Sequence, residues 1–197
     1  AVGYRAGQAN EGDYLTAIGY LAGKSNTRYQ CTAVGGYALY QNTGNLSCAV
    51  GYYAGFGNSG TTMTAMGDRA CNGNSGTFAS GFGHDALENN SGDRCTGIGY
   101  SVGDSNAGDD VTAGGYSACY LNTGNNNTGF GSRSLGNAAT GANNVAVGYK
   151  SGYDQAGGTL AARSMDTSVF VGATTKGVNL STLTGTTGAF SALINNA

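Results

Sequence analysis

Large, small and polar positions recur along this chain with a fixed step of 16. The anchor is a glycine, at Gly3, Gly19, Gly35, Gly51, Gly67, Gly83, Gly99, Gly115 and Gly131. The residue before it is bulky and apolar, running Val2, Ile18, Val34, Val50, Met66, Phe82, Ile98 and Phe130, with Gly114 as the gap. The residue two before it is always tiny: Ala1, Ala17, Ala33, Ala49, Ala65, Gly81, Gly97, Ala113 and Gly129. Side chains alternate along a strand, so each repeat predicts a short strand with one face of Val, Ile and Phe and another of Ala and Gly. Neither face is polar. The pattern therefore predicts burial on both sides, the bulky face filling a core and the small face admitting another backbone.

Seven residues after each of the first eight anchors stands an Asn, at Asn10, Asn26, Asn42, Asn58, Asn74, Asn90, Asn106 and Asn122. A Gly follows two further on in all but one copy, where Arg28 takes its place. Asn-x-Gly is turn chemistry, because the amide bonds its own backbone and Gly accepts positive φ. Three residues after the anchor another small column, from Ala6 to Ser134, suits a tight corner. Charge falls mostly in other registers, such as Arg5, Lys24, Arg69, Asp85, Glu88, Asp104 and Arg133, which the pattern places at solvent corners.

A short fixed period with ladders of Gly, Ala and Asn predicts an all-β fold, a parallel β-solenoid in which each 16-residue repeat is one coil stacked on the last. Nine coils over residues 1–145 at ~4.8 Å per rung make a rod roughly 43 Å long. The period slips at Gly148 and again at Gly172, so residues 146–197 are expected to hold altered coils and a transition or cap segment.

Composition agrees. Gly supplies 37 of 197 residues, Pro and Trp are absent, and only 10% of residues are charged, which disfavours helices. An apolar content of 40% with 13 Tyr and 6 Phe argues against a solvated tail. The net charge of −2, without a basic run, gives no footprint for nucleic acid. No apolar stretch reaches transmembrane length, so no membrane insertion is expected.

The phrases "TAIGYLAG", "CAVGYYAG" and "NTGNNNTGFGSRSLGN" resemble the head repeats of trimeric autotransporter adhesins and the similar repeats of bacteriophage tail fibres. That resemblance covers residues 1 to about 152 and implies a left-handed parallel β-roll, three chains about a threefold axis, and a role in reaching and holding surfaces. The 16-residue period, the frequent Tyr after the anchor and the five Cys depart from the adhesin pattern. They favour the fibre branch.

Few residues suggest chemistry. Gly19 to Ser25 mimics a phosphate-binding loop but is one residue short, and Gly97–Gly103 and Gly129–Gly136 mimic dinucleotide fingerprints without their strand–helix context. The single His, His84, sits in the register of Tyr4, Tyr20, Tyr52, Tyr100 and Tyr116 and reads as a member of that column. Acidic residues lack metal-ligand spacing. Cys31, Cys48, Cys71, Cys95 and Cys119 show no C-x-x-C spacing and read as small apolar filler. Asn45, Asn89, Asn126 and Asn179 head glycosylation sequons that arise naturally in Asn/Thr-rich repeats. The Thr ladder at Thr16, Thr32, Thr64, Thr96, Thr112 and Thr128 lacks a regular partner column two residues earlier, which argues against ice binding. The Tyr column is either ladder packing or an exposed strip for surface contact. The expectation is a structural, adhesive fibre segment on a virion or cell surface, without catalysis, cofactor or metal. Its partners would be further copies of itself and a host-surface glycan or protein. The alternative is a bacterial trimeric adhesin head or extracellular filament subunit.

Overall fold

In the computed structural model, residues 1–136, 140–153, 168–172 and 178–179 are described. From Gly19 to Gly131 each anchor Gly lies at or next to the C-terminal end of one short strand. The strands are β1 (Leu15–Ile18), β2 (Cys31–Val34), β3 (Cys48–Val50), β4 (Thr64–Met66), β5 (Ser80–Phe82), β6 (Thr96–Tyr100), β7 (Thr112–Tyr116), β8 (Thr128–Phe130), β9 (Val145–Val147), β10 (Ser168–Val171) and β11 (Val178–Asn179). They form one sheet in chain order, every neighbouring pair from β1 to β10 parallel, and only β10 and β11 run antiparallel. Residues sixteen apart face each other, as in Ala17 with Ala33 and Val34 with Val50. The chain is thus a parallel β-solenoid, with about eight turns of roughly 16 residues. No helix occurs among the described residues.

Two glycine columns make the stacking possible for different reasons. Gly19 holds φ at +133°, and a Cβ there would lie 2.6 Å from the carbonyl oxygen of Gly35 on the next coil. Gly44 and its equivalents in the Asn-x-Gly turn do not hold the positive φ expected from the sequence. A Cβ on Gly44 would instead run into the Gly60 carbonyl, so close approach and not backbone handedness selects the residue.

The left-handed backbone is carried elsewhere, largely by residues with side chains. Positions two, four, six and eleven after the anchor take φ near +50° to +60° in coil after coil, as at Arg69, Cys71, Gly73 and Phe78. This conformation costs an ordinary residue roughly 1–2 kcal/mol, and the regular hydrogen bonding between coils offsets it. Leu21 N donates to Tyr4 O at 2.9 Å and Gly23 N to Ala38 O at 2.8 Å, so one coil is tied to the coils on both sides.

The interior is narrow, and this corrects the expected placement of the strand faces. The Ala/Gly column two before the anchor points inward and is buried from Ala17 to Ala146, facing the buried small column from Ala22 to Ala118. At Gly81 a Cβ would come within 2.7 Å of the Ala86 carbonyl on the opposite wall. A core this thin accepts only small side chains there. The bulky column does not fill a core within the chain but points outward: Ile18 is 46% exposed, Met66 45% and Ile98 53%. Larger interior groups come from columns four before and four after the anchor, where Leu15 meets Gly23, and Met63 and Leu39 close over Gly55. Large on one wall answers small on the other.

The buried Asn column forms a second spine. Each side-chain amide donates to Oδ1 of the Asn one coil earlier, at 2.7–2.9 Å from Asn26 to Asn122, and also to the carbonyl two residues ahead. At the coil of 17 residues the run continues through a different residue. Asn127, from a core column, donates to Asn122 Oδ1 at 2.9 Å and to Gly141 O at 2.8 Å, and accepts from Asn144 N at 2.9 Å. Beyond it, β9 and β10 pair across a step of 24 residues, Val145 with Val169. Most of the expected C-terminal transition or cap lies outside the described residues.

Candidate functional site

Three registers that are separate in sequence meet along one edge of the rod. They lie one, two and five residues after each anchor, and in coil four all three are aromatic, as Tyr52, Tyr53 and Phe56. Tyr37 and Tyr53 stack at 4.7 Å and 11°, Tyr40 and Phe56 at 5.2 Å and 3°, and Tyr52 stands against Tyr53 at 4.6 Å and 79°. Stacking follows from the repeat itself, since like residues sixteen apart lie one rung apart. Gly36 interrupts the first register, and a Cβ there would approach Tyr52 Cδ2 to 3.1 Å, so the glycine gives the Tyr52 ring its room.

The Tyr column expected from the sequence proves to be both a ladder and an exposed strip. Tyr4 stacks on Tyr20 at 5.4 Å and Tyr100 on Tyr116 at 5.3 Å, while Tyr4, Tyr20, Tyr52, Tyr100 and Tyr116 remain 46–59% exposed. His84 is a column member as read, stacked on Tyr100 at 4.8 Å and 7°.

One coil beyond the aromatic group the same edge becomes charged. Arg69 Nη2 donates to Asp85 Oδ2 at 2.9 Å, and Arg69 Nε lies 2.7 Å from Asp85 Oδ1 as an ion pair, too bent for a hydrogen bond. His84 Nδ1 lies 2.8 Å from Asp85 Oδ2, and its Nε2 is 3.6 Å from Asp68 Oδ2. Asp85, placed at a solvent corner by its register, is in fact buried. Asn72 Nδ2 donates to Glu88 Oε1 at 3.0 Å. Burial, then the carboxylates of Asp85 and Asp104, push Glu88 above the usual carboxylate range, and burial does the same to Asp104.

Between the aromatic and charged parts lies an open groove of about 520 Å³, lined by Tyr52, Tyr53, Asp68, Arg69, Asn72 and Glu88. A smaller depression further along this edge is lined by Ser117, Tyr120, Arg133, Gly136 and Tyr153. Sequence reasoning singled out Tyr52 and missed its neighbours. The signal was present in the aromatic pairs sixteen apart, 37 with 53 and 40 with 56, read in registers other than the first.

The cysteines behave as filler. Cys31, Cys71, Cys95 and Cys119 are buried and Cys48 half-buried, all as free thiols in the single chain. Burial raises the thiols of Cys71 and Cys119 to about 12 and that of Cys95 to about 11, far from thiolate chemistry. Among the described residues no group of His, Cys, Asp and Glu could hold a metal ion, and no helix is long and apolar enough to cross a membrane. Comparison with protein-family models, curated proteins and solved structures finds no match for this chain.

Proposed function

We propose that the chain is a structural and adhesive segment of a homotrimeric fibre, of the kind that virions use to attach to host surfaces. The observation that carries this reading is the outward bulky column. Val2, Ile18, Met66, Ile98, Phe130 and Val147 stand exposed and Val34, Val50 and Phe82 half-buried, in line along the rod with a gap at Gly114. An outward apolar stripe of this kind marks a surface that another chain covers. Further copies of the same chain, with the same rung spacing, match it coil for coil. The threefold arrangement comes from the resemblance to trimeric fibre and adhesin repeats.

Four thiols walled into the core suit folding in a reducing cytoplasm before assembly, which favours a virion fibre over a secreted adhesin head or filament subunit. The reading assigns no catalysis, cofactor or metal, because the groups able to do chemistry serve packing and ion pairs. It assigns no nucleic-acid or membrane-inserted role, in keeping with the net charge of −2. Contact with a host glycan or protein would gain strength from repetition along and between chains.

Sedimentation equilibrium on the purified chain tests the assembly. A trimer is expected, with Ile98→Asp shifting it to smaller species, and a stable soluble monomer would overturn the reading. Electron microscopy of the native source should show thin fibres on particles. Fibres on bacterial cells would instead favour the adhesin alternative.

A further inference from the structure

We propose that the groove bounded by Tyr52, Tyr53, Asp68, Arg69, Asn72 and Glu88 binds a neutral pyranose unit of a surface glycan. This deepens the attachment reading and rests on it only for where the glycan comes from.

A pyranose has a flat patch of C–H groups and a rim of hydroxyls that both donate and accept. It is held by an aromatic face under the C–H patch and by planar side chains that take hydroxyls in pairs. The groove has both parts. Tyr52 is 54% exposed and meets Tyr53 at 79°, so the two rings form a floor and a wall. Opposite them stand two carboxylates, an amide and a guanidinium. These groups are already ordered: Arg69 is held by Asp85, and Asn72 is tied to Glu88 at 3.0 Å. Little rotamer freedom remains to be lost on binding.

Charge selects among sugars. Asp68, Asp85, Glu88 and Asp104 outnumber Arg69, so an anionic sugar meets repulsion. A neutral ring avoids that penalty. The groove is built from registers one, two and five after the anchor, whereas the apolar stripe lies one before it.

The test is ligand-observed NMR, with titration, using the methyl glycosides of glucose, galactose, mannose and N-acetylglucosamine on the intact chain. At least one should bind, and Tyr52→Ala should weaken it about 10-fold or more. Tyr52→Phe should retain affinity, since the ring face and not the hydroxyl is used. Asp68→Asn should weaken binding, and Tyr116→Ala, elsewhere in the column, should leave it unchanged. Sialyllactose should bind more weakly than the neutral sugar. Absence of binding by all four glycosides, or equal binding by the parent and Tyr52→Ala, would overturn the site. The two proposals fail separately: a trimer blind to all four sugars defeats this one alone, and a sugar-binding monomer defeats the fibre reading alone.

Discussion

Asn74 Nδ2 lies 2.9 Å from Oδ1 of Asn58 and 2.8 Å from the carbonyl of Gly76, and Asn74 Oδ1 accepts from Asn90 at 2.9 Å. Both amide protons and the oxygen are used where no solvent reaches. Asn74→Ala leaves the Asn58 oxygen, the Gly76 carbonyl and an Asn90 proton without this partner, at about 1–3 kcal/mol for a stranded group. The expected loss is about 3 kcal/mol or more. Asn10→Ala, at the half-buried start of the run, should cost about 1 kcal/mol. Urea denaturation of both variants checks the order, and equal losses would refute it.

Two substitutions of opposite sense test the backbone. Gly67 holds φ at +139° with the Gly83 carbonyl against it, so Gly67→Ala should destabilise by at least about 3 kcal/mol. Gln41 is an exposed residue with φ at +56°, in a register that elsewhere contains Gly57 and Gly73. Gln41→Gly should therefore leave stability unchanged or raise it by up to about 1 kcal/mol, contrary to the usual cost of glycine. Thermal melts of the pair read both effects.

The raised Glu88 makes stability depend on pH in a definite direction. Its folded form binds a proton more tightly than the unfolded chain does. Its contribution is therefore best at low pH, is lost as pH rises through the raised folded pKa, and stays unfavourable at neutrality. Glu88→Gln should be more stable than the parent at pH 7. That advantage should shrink as pH falls below the ordinary glutamate range. Denaturation midpoints across that range decide, and an advantage independent of pH would count against the cause given.

Thiol labelling should follow burial. Cys71, Cys95 and Cys119, raised to about 12, 11 and 12, should resist iodoacetamide at pH 7.5 until the chain unfolds, while the half-buried Cys48 reacts first. Mass mapping of the alkylated positions gives the order. Early labelling of Cys119 would mean that the coils open far more readily than their hydrogen bonding implies.

The rung spacing and register were legible because each anchor Gly answers a steric requirement that admits no other residue, as between Gly19 and Gly35. Which face points inward was not. Alternation separates Ala17 from Ile18 but does not say which is inside, and bulk was the wrong guide in a coil whose walls nearly touch at Gly81 and Ala86. The left-handed positions were hidden for another reason: Leu21, Tyr37 and Arg69 occupy them, and none of these residue types signals positive φ. The groove was illegible column by column, since it exists only where three registers meet.

The asparagine run also has a direction. Each amide points its N–H toward the N-terminal end and cannot be flipped, because the same nitrogen must also reach the carbonyl two residues ahead. Such a rod has something like a reading frame. Gain or loss of 16 codons would splice one coil in or out with these bonds intact, whereas an odd residue forces a substitution of the kind seen at Asn127, where a core residue takes over the next link. Length is then the trait that inheritance can alter most freely, and related rods should differ in whole coils far more often than in fractions of one.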